Sequence, residues 1–167
     1  ALITGSIDVR GVASPAAGGA YVVGSFQGTV TFNPSGVPQP MTSAGNDDAF
    51  FARYSSGLAF QFARRIVTGS PRNRARKLVI SPVSGDAIIV GVTRSNLIGA
   101  SDDAGRITIS IGPNDSTYMA GFNPTTADVN WAKGVVSNGD NEPERTAISS
   151  DGSQISLFCG AVLAATF

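Results

Sequence analysis

Two short charged runs hold the residues of this chain best placed to do chemistry. Arg72-Asn-Arg-Ala-Arg-Lys77 packs four cations into six positions, and Asp140-Asn-Glu-Pro-Glu-Arg145, starting 68 residues later, packs in three carboxylates. Arg72, Arg74, Arg76 and Lys77 on one side, and Asp140, Glu142 and Glu144 on the other, read as two equivalent loops of opposite sign. Such complementarity steers association and fixes register between protein surfaces. The bland alternative is two solvated loops, whose exposed ion pairs contribute about 0–1 kcal/mol each. Nucleic acid is a poor partner, because the basic run has no adjacent aromatic platform for stacking bases. The twelve basic and twelve acidic residues also cancel to zero net charge, where phosphate binding needs a basic field.

Catalysis has little to work with. Histidine is absent and cysteine occurs once. That removes Ser-His-Asp and Cys-His nucleophile systems, Cys/His zinc sites and any disulfide within the chain. The acidic pairs Asp47-Asp48 and Asp102-Asp103 fall in turns. Calcium binding or a glycosidase carboxylate pair is the functional reading. Neither pair has EF-hand spacing, and turn capping is the expectation. Cys159 reads as a buried inert thiol, with an intermolecular disulfide as the alternative. Asn114-Asp115-Ser116 is a glycosylation sequon that matters only in a eukaryotic secretory host. No enzyme, metal or cofactor is expected.

The scaffold that must carry these residues reads as all-β. Its 167 residues suffice for one domain with a real core. Apolar residues come in short β-branched or aromatic runs, Ala20–Phe26, Leu78–Ser81 and Ala87–Val92, which suit a pleated, half-buried surface. Between them Asn33-Pro-Ser-Gly36, Ser84-Gly-Asp86, Gly112-Pro-Asn-Asp115 and Ser150-Asp-Gly152 signal turns. No apolar run nears the roughly 20 residues of a membrane span. Ala1–Ser6 lacks the basic lead and apolar stretch of a signal peptide, and a start without methionine reads as a processed or excised piece. Only 14% of residues are charged, against about a quarter in ordinary soluble domains. Abundant Gly, Ser, Thr and Asn suggests an extracellular or cell-surface protein.

An internal repeat organises the strands. Val12–Pro15 with Ala20–Gly24, Val79–Pro82 with Ala87–Gly91, and Ala147–Ser150 with Ile155–Cys159 align, Gly24 and Gly91 lying 67 residues apart and Ser81 and Ser149 68. Ala49–Tyr54 aligns with Thr117–Phe122 at 68, and Phe60–Arg64 with Val129–Lys133 at 69. Ile66–Ser70 echoes Leu2–Ser6. Each unit of 67–69 residues then holds four antiparallel strands, in the second unit Val79–Pro82, Ala87–Thr93, Thr117–Asn123 and Val129–Val136. An extra strand lies in each long connection, at Gly28–Phe32 and Gly105–Ile109. Phe62 and Trp131 take matching places in the fourth strand, as anchors between neighbouring sheets.

Four antiparallel strands per repeat are the signature of a β-propeller blade. Asp48-Ala-Phe-Phe-Ala-Arg-Tyr54 followed by an aromatic-Ala-basic triplet, Ala20–Phe32, and Trp131-Ala-Lys133 together resemble the seven-bladed-propeller repeat of secreted bacterial proteins. The resemblance implies an extracellular or surface module without a shared catalytic site.

The expected division is a closing strand of a preceding blade in 1–9, blade one in 10–76, blade two in 77–145 and opening strands of a further blade in 146–167. Two blades and a fraction make an incomplete ring with unpaired edges. Either further blades of a longer chain or other copies of this one would complete it. A β-sandwich is the alternative fold. The functional expectation is a structural or adhesive module acting through self-assembly or protein contacts, with the charged loops giving a salt-sensitive component. Carbohydrate binding is the alternative.

Overall fold

A computed structural model describes residues 5–33, 36–69, 72–99, 105–112, 114–136 and 142–159, and the backbone of 162–166. In chain order its strands are β1 (Ser6–Ala13), β2 (Ala20–Gln27), β3 (Thr29–Phe32), β4 (Gln39–Thr42), β5 (Asp48–Tyr54), β6 (Phe60–Val67), β7 (Asn73–Ile80), β8 (Ala87–Thr93), β9 (Leu97–Ile98), β10 (Ile107–Thr108), β11 (Ser116–Phe122), β12 (Val129–Val135), β13 (Arg145–Ile148), β14 (Gln154–Phe158) and β15 (Val162–Thr166). Among the described residues no helix forms and no sheet closes into a barrel. The all-β expectation is met.

The first sheet runs β1-β2-β5-β6-β9-β10, the second β12-β11-β8-β7 and the third β13-β14-β15, while β3 and β4 pair only with each other. Every strand ladder is antiparallel. Several expected boundaries move. Residues 1–4, part of the foreseen closing strand, lie outside the described residues, and Ser6–Val9 are hydrogen-bonded to β2 as part of the first sheet. The second unit's first strand starts at Asn73, not Val79. The Arg72–Lys77 segment is therefore not a loop beyond its first residue. Its polar side chains hide a strand alternation in which Asn73 and Ala75 are fully buried and Arg74 and Arg76 partly so. The third sheet begins at Arg145 and gains β15.

The two complete four-stranded sets share two irregularities, while a third, at Ala49/Phe50, occurs in the first alone. Val9 faces Gly24 and Gly11 faces Val23, with Arg10 bulged out between them; Ala75 faces Gly91 and Lys77 faces Val90, with Arg76 bulged out. Glycine is required opposite each bulge. A Cβ on Gly24 would run into the Asp8 carbonyl and the Phe50 ring, and one on Gly91 into the Arg74 carbonyl and the Tyr118 ring. A second register shift recurs at Arg53/Tyr54 and Gly121/Phe122, leaving Phe62 opposite Arg53 and Trp131 opposite Gly121.

Strand alternation gives each sheet two apolar faces, and the sheets stack on them. Tyr21, Val23, Ala49 and Phe51 of the first sheet pack against Ile89, Tyr118, Ala120 and Phe122 of the second, with Phe62 beside them. The opposite face of the second sheet, Ile88, Val90 and Met119 with Trp131, packs against Ile155 and Leu157 of the third. Phe62 meets Phe51 edge-on at 5.4 Å and 87°. Trp131 lies over Gly121, where any Cβ would strike the indole. The face of a sheet turned toward its N-terminal neighbour is termed leading, and the other trailing. The second sheet has both faces covered. The leading face of the first carries Val22, Phe26, Phe50, Ala52 and Tyr54, and is partly covered by Val30, Phe32 and Met41 of the β3–β4 hairpin.

Candidate functional site

The arginines of the basic run spend their charge inside the chain. Arg72 opens the run with an isolated parallel bridge to Asp47, and the Asn73 amide donates to the Asp47 carbonyl at 2.9 Å. On β7, Arg74 then donates to the Asp47 carboxylate through Nε at 2.8 Å and Nη2 at 2.5 Å. Arg72 donates to Asp115 Oδ2 at 2.7 Å and to Glu142 Oε1 at 3.0 Å. Arg76, freed from the ladder by its bulge, donates to the same Glu142 oxygen at 2.6 Å. Arg94 closes the network on Asp115 Oδ1 at 2.5 Å.

The arrangement is a clamp across three sheets. Asp47 precedes β5 of the first sheet, Asp115 precedes β11 of the second, and Glu142 leads into the third. Asp115 is 1% exposed between two guanidiniums, so each cation offsets the cost of burying the carboxylate. Glu142 is 45% exposed, and its two pairs are worth correspondingly little. The basic and acidic runs thus meet within one chain, through Arg72, Arg76 and Glu142. Arg72, Arg74 and Arg76 are not left over for a salt-sensitive contact between chains. Lys77 sits opposite Val90 in the ladder, Glu144 donates its amide to the Phe158 carbonyl at 2.8 Å, and Asp140 lies outside the described residues. The sequence marks Asp47 as half of a turn pair and Asp115 as part of a sequon, not as partners of the basic run, and does not mark Arg94, since partners 27 and 43 residues from their arginines leave no local signal.

Asp48, the sequon and Cys159 sit in packed or hydrogen-bonded positions. Asp48 is fully buried, accepts the Ala44 amide at 2.8 Å and faces Arg65 at 3.7 Å. Its Oδ1 has no hydrogen-bond partner, and burial outweighs these contacts to push its carboxyl above the usual range. Asp102 and Asp103 lie outside the described residues. In the sequon Asp115 and Ser116 are buried, and the Ser116 hydroxyl accepts the Gly112 amide at 2.8 Å. Cys159 is a free, buried thiol against Ile155 and Leu157, its Sγ 3.8 Å from the Thr117 hydroxyl. Burial raises its pKa, with the Glu144 charge adding to the shift against the Thr117 hydrogen bond. Among the described residues, no three Cys, Asp or Glu gather to hold a metal ion, and no helix is long and apolar enough to cross a membrane.

A different surface stands open. On the leading face of the first sheet Ile7, Val9, Val22, Phe32, Phe50, Ala52 and Tyr54, with Thr31 and Asn33, line a groove of about 180 Å³. Ile7, Val9 and Val12 form an exposed apolar stripe along β1. At the far end Arg145, Thr146, Ala147, Ser156, Leu157 and Phe158 line a second shallow groove of about 250 Å³ on the third sheet. The chain matches no protein-family model, and no curated protein matches it either.

Proposed function

We propose that the chain is a non-enzymatic structural or adhesive module, extracellular or on a cell surface, built as an open arc of β-propeller blades and acting by contact with further sheets of its own kind. One observation carries the reading. On the leading face of the first sheet Val9 and Val12 stand exposed at the positions matched to Ala75 and Leu78, which the second sheet packs against the first. Contiguous apolar surface of this sort marks a protein contact. Blades are favoured over a sandwich because the second sheet is covered on both faces, by the first sheet and the third, whereas a two-sheet sandwich leaves each outer face to solvent. The resemblance of Asp48–Tyr54, Ala20–Phe32 and Trp131–Lys133 to a secreted propeller repeat points the same way. Carbohydrate binding draws less support: the leading groove offers Thr31, Asn33 and Tyr54 but no charged side chain for sugar hydroxyls.

Sedimentation velocity of the purified chain, from low to high micromolar concentration, tests the reading. Mass-action growth of oligomers that persists as salt rises is the expected result, since apolar contacts are not screened. A single monomeric species throughout would overturn it.

A further inference from the structure

We infer that the β3–β4 hairpin latches the outer edge of β6, with the Gln39 side chain standing in for a neighbouring strand and closing that edge to strand addition. The inference is independent of the apolar contacts proposed above, because it concerns backbone pairing on the side of the first sheet away from β1.

β6 is paired along its length on one side only. Its inner side carries the ladder to β5. On its outer side, among the described residues, β9 reaches it at the single pair Val67↔Ile98, with the Gly99 amide donating to the Ile66 carbonyl at 2.8 Å. Ala63 lies beyond that short contact and is 1% exposed. Buried backbone groups require partners, and an unpaired strand edge is a template for a foreign strand.

Gln39 supplies both partners at once. Its Nε2 donates to the Ala63 carbonyl at 2.9 Å, and its Oε1 accepts the Ala63 amide at 3.1 Å. A side-chain amide carries a donor and an acceptor as a peptide group does, so one glutamine satisfies what a strand residue would. Nearby, Arg65 Nη1 donates to the Thr42 carbonyl at 2.9 Å. Both ties run through a side chain, and β4 forms no ladder with β6.

The sequence explains why side chains take this task. The Ser43 amide donates to the Gly28 carbonyl, and hydrogen-bonded pairs alternate along an antiparallel ladder. Met41 and Gln39 therefore turn their backbone groups toward β3, and Pro40 and Pro38 take the outward positions. Neither proline has an N–H to offer another strand. The same alternation sets Val30, Phe32, Met41 and Gln39 on one face of the hairpin. The three apolar side chains join the cluster of Phe26, Phe50, Ala52 and Ala63, which holds Gln39 against β6. Val37-Pro-Gln-Pro40 is thus a strand end that cannot be extended, and its one glutamine also stops the edge of its neighbour.

Two substitutions test the latch. Gln39→Ala removes the side chain, and Gln39→Leu keeps its bulk without either hydrogen bond; circular dichroism with thermal melting checks that each variant retains its fold. In both, hydrogen exchange at the Ala63 amide, followed by NMR, should quicken by more than about tenfold. Under conditions where the variants stay folded, thioflavin T fluorescence should rise with time as opened edges pair between molecules, and the unmodified chain should give no such rise. Ala63 exchange at the unmodified rate would overturn the latch. Faster exchange without a thioflavin T response would overturn the closing of the edge. A Gln39→Leu variant that behaves like the unmodified chain while Gln39→Ala does not would assign the effect to bulk and overturn the role of the amide. A thioflavin T response in the unmodified chain would show the edge open with Gln39 in place and overturn the inference.

Discussion

The leading faces of the first and second sheets are built from matched residues and are covered to different extents. Ile89, Tyr118, Ala120 and Phe122 lie sealed against the first sheet, while the β3–β4 hairpin seals Phe50 and Ala52 but leaves Val22 and Tyr54 half-buried and Val9 and Val12 exposed. The inserts differ in the same sense: β9 and β10 extend the preceding sheet, whereas β3 and β4 stand apart. Sequence repeats equip both faces alike. Position in the array, not residue type, decides which becomes core and which becomes interface.

The comparison is broken most severely at the anchors between sheets. Phe62→Ala and Trp131→Ala should each cost about 3 kcal/mol by urea denaturation, the low end for aromatic truncation because both rings are only partly buried. Equal losses would support equivalent interfaces between the first and second sheets and between the second and third. A tolerated substitution at either would separate them.

A sharper contrast lies one strand inward. Leu78→Ala should lower stability by about 2 kcal/mol, while Val12→Ala, at the matched but exposed position, should change it by less than about 0.5 kcal/mol when measured on the monomer. Equal effects at the two sites would mean that the first sheet's face is covered after all. Tyr118 and Phe50 give a smaller difference. Tyr118 is fully buried and its hydroxyl finds no hydrogen-bond partner, and the first unit places phenylalanine at the corresponding position. Tyr118→Phe should therefore stabilise the fold by up to about 1 kcal/mol; a loss measured by the same denaturation would show that the hydroxyl is satisfied.

The smallest effect is a pH slope at the base of β5. Burial raises the Asp48 carboxyl above its ordinary value of 3.8. The folded state therefore binds this proton more tightly than the unfolded state, and stability declines as pH rises from 3.8 through the folded value. Asp151 acts in the opposite sense. Hydrogen bonds from Ser149 and Ser153 lower its carboxyl to about 2, so its contribution is present above 3.8 and fades between about pH 4 and 2. Asp48→Asn should remove the first slope and Asp151→Asn the second, as read from melting temperature against pH. An Asp48→Asn profile that keeps the original decline would remove Asp48 from the account.

Much of the strand order is legible in the chain, for physical reasons that differ from segment to segment. Ala20–Gln27, Ala87–Thr93 and Ser116–Phe122 are central strands, buried on both faces, and advertise themselves as continuous β-branched or aromatic runs. β7 does not. Its buried positions include Asn73 and Ala75, and its arginines read as a loop because half-buried guanidiniums carry no hydrophobic signal. β9 and β10 are two residues each and hold position by packing on neighbouring strands, which no local pattern records. The opposite signs of the two charged runs were visible, yet their meeting through Glu142 required the fold. The open leading face was hardest to see, because Val9 and Val12 look like any core residues until the absence of a neighbour exposes them.

The paired bulges have a consequence for how such a chain avoids misassembly. β1 is an edge strand, and a straight apolar edge is a template for fibril growth by endless backbone pairing. Arg10 interrupts that template. It breaks the hydrogen-bonding register between Val9 and Gly11, adds local twist, and holds a charged pair with Asp8 at 2.7 Å on the exposed rim. An incoming strand would find neither a regular row of amides nor a neutral border. The molecule can thus keep an exposed apolar stripe on β1 while denying growth along that edge, by geometry rather than by low hydrophobicity.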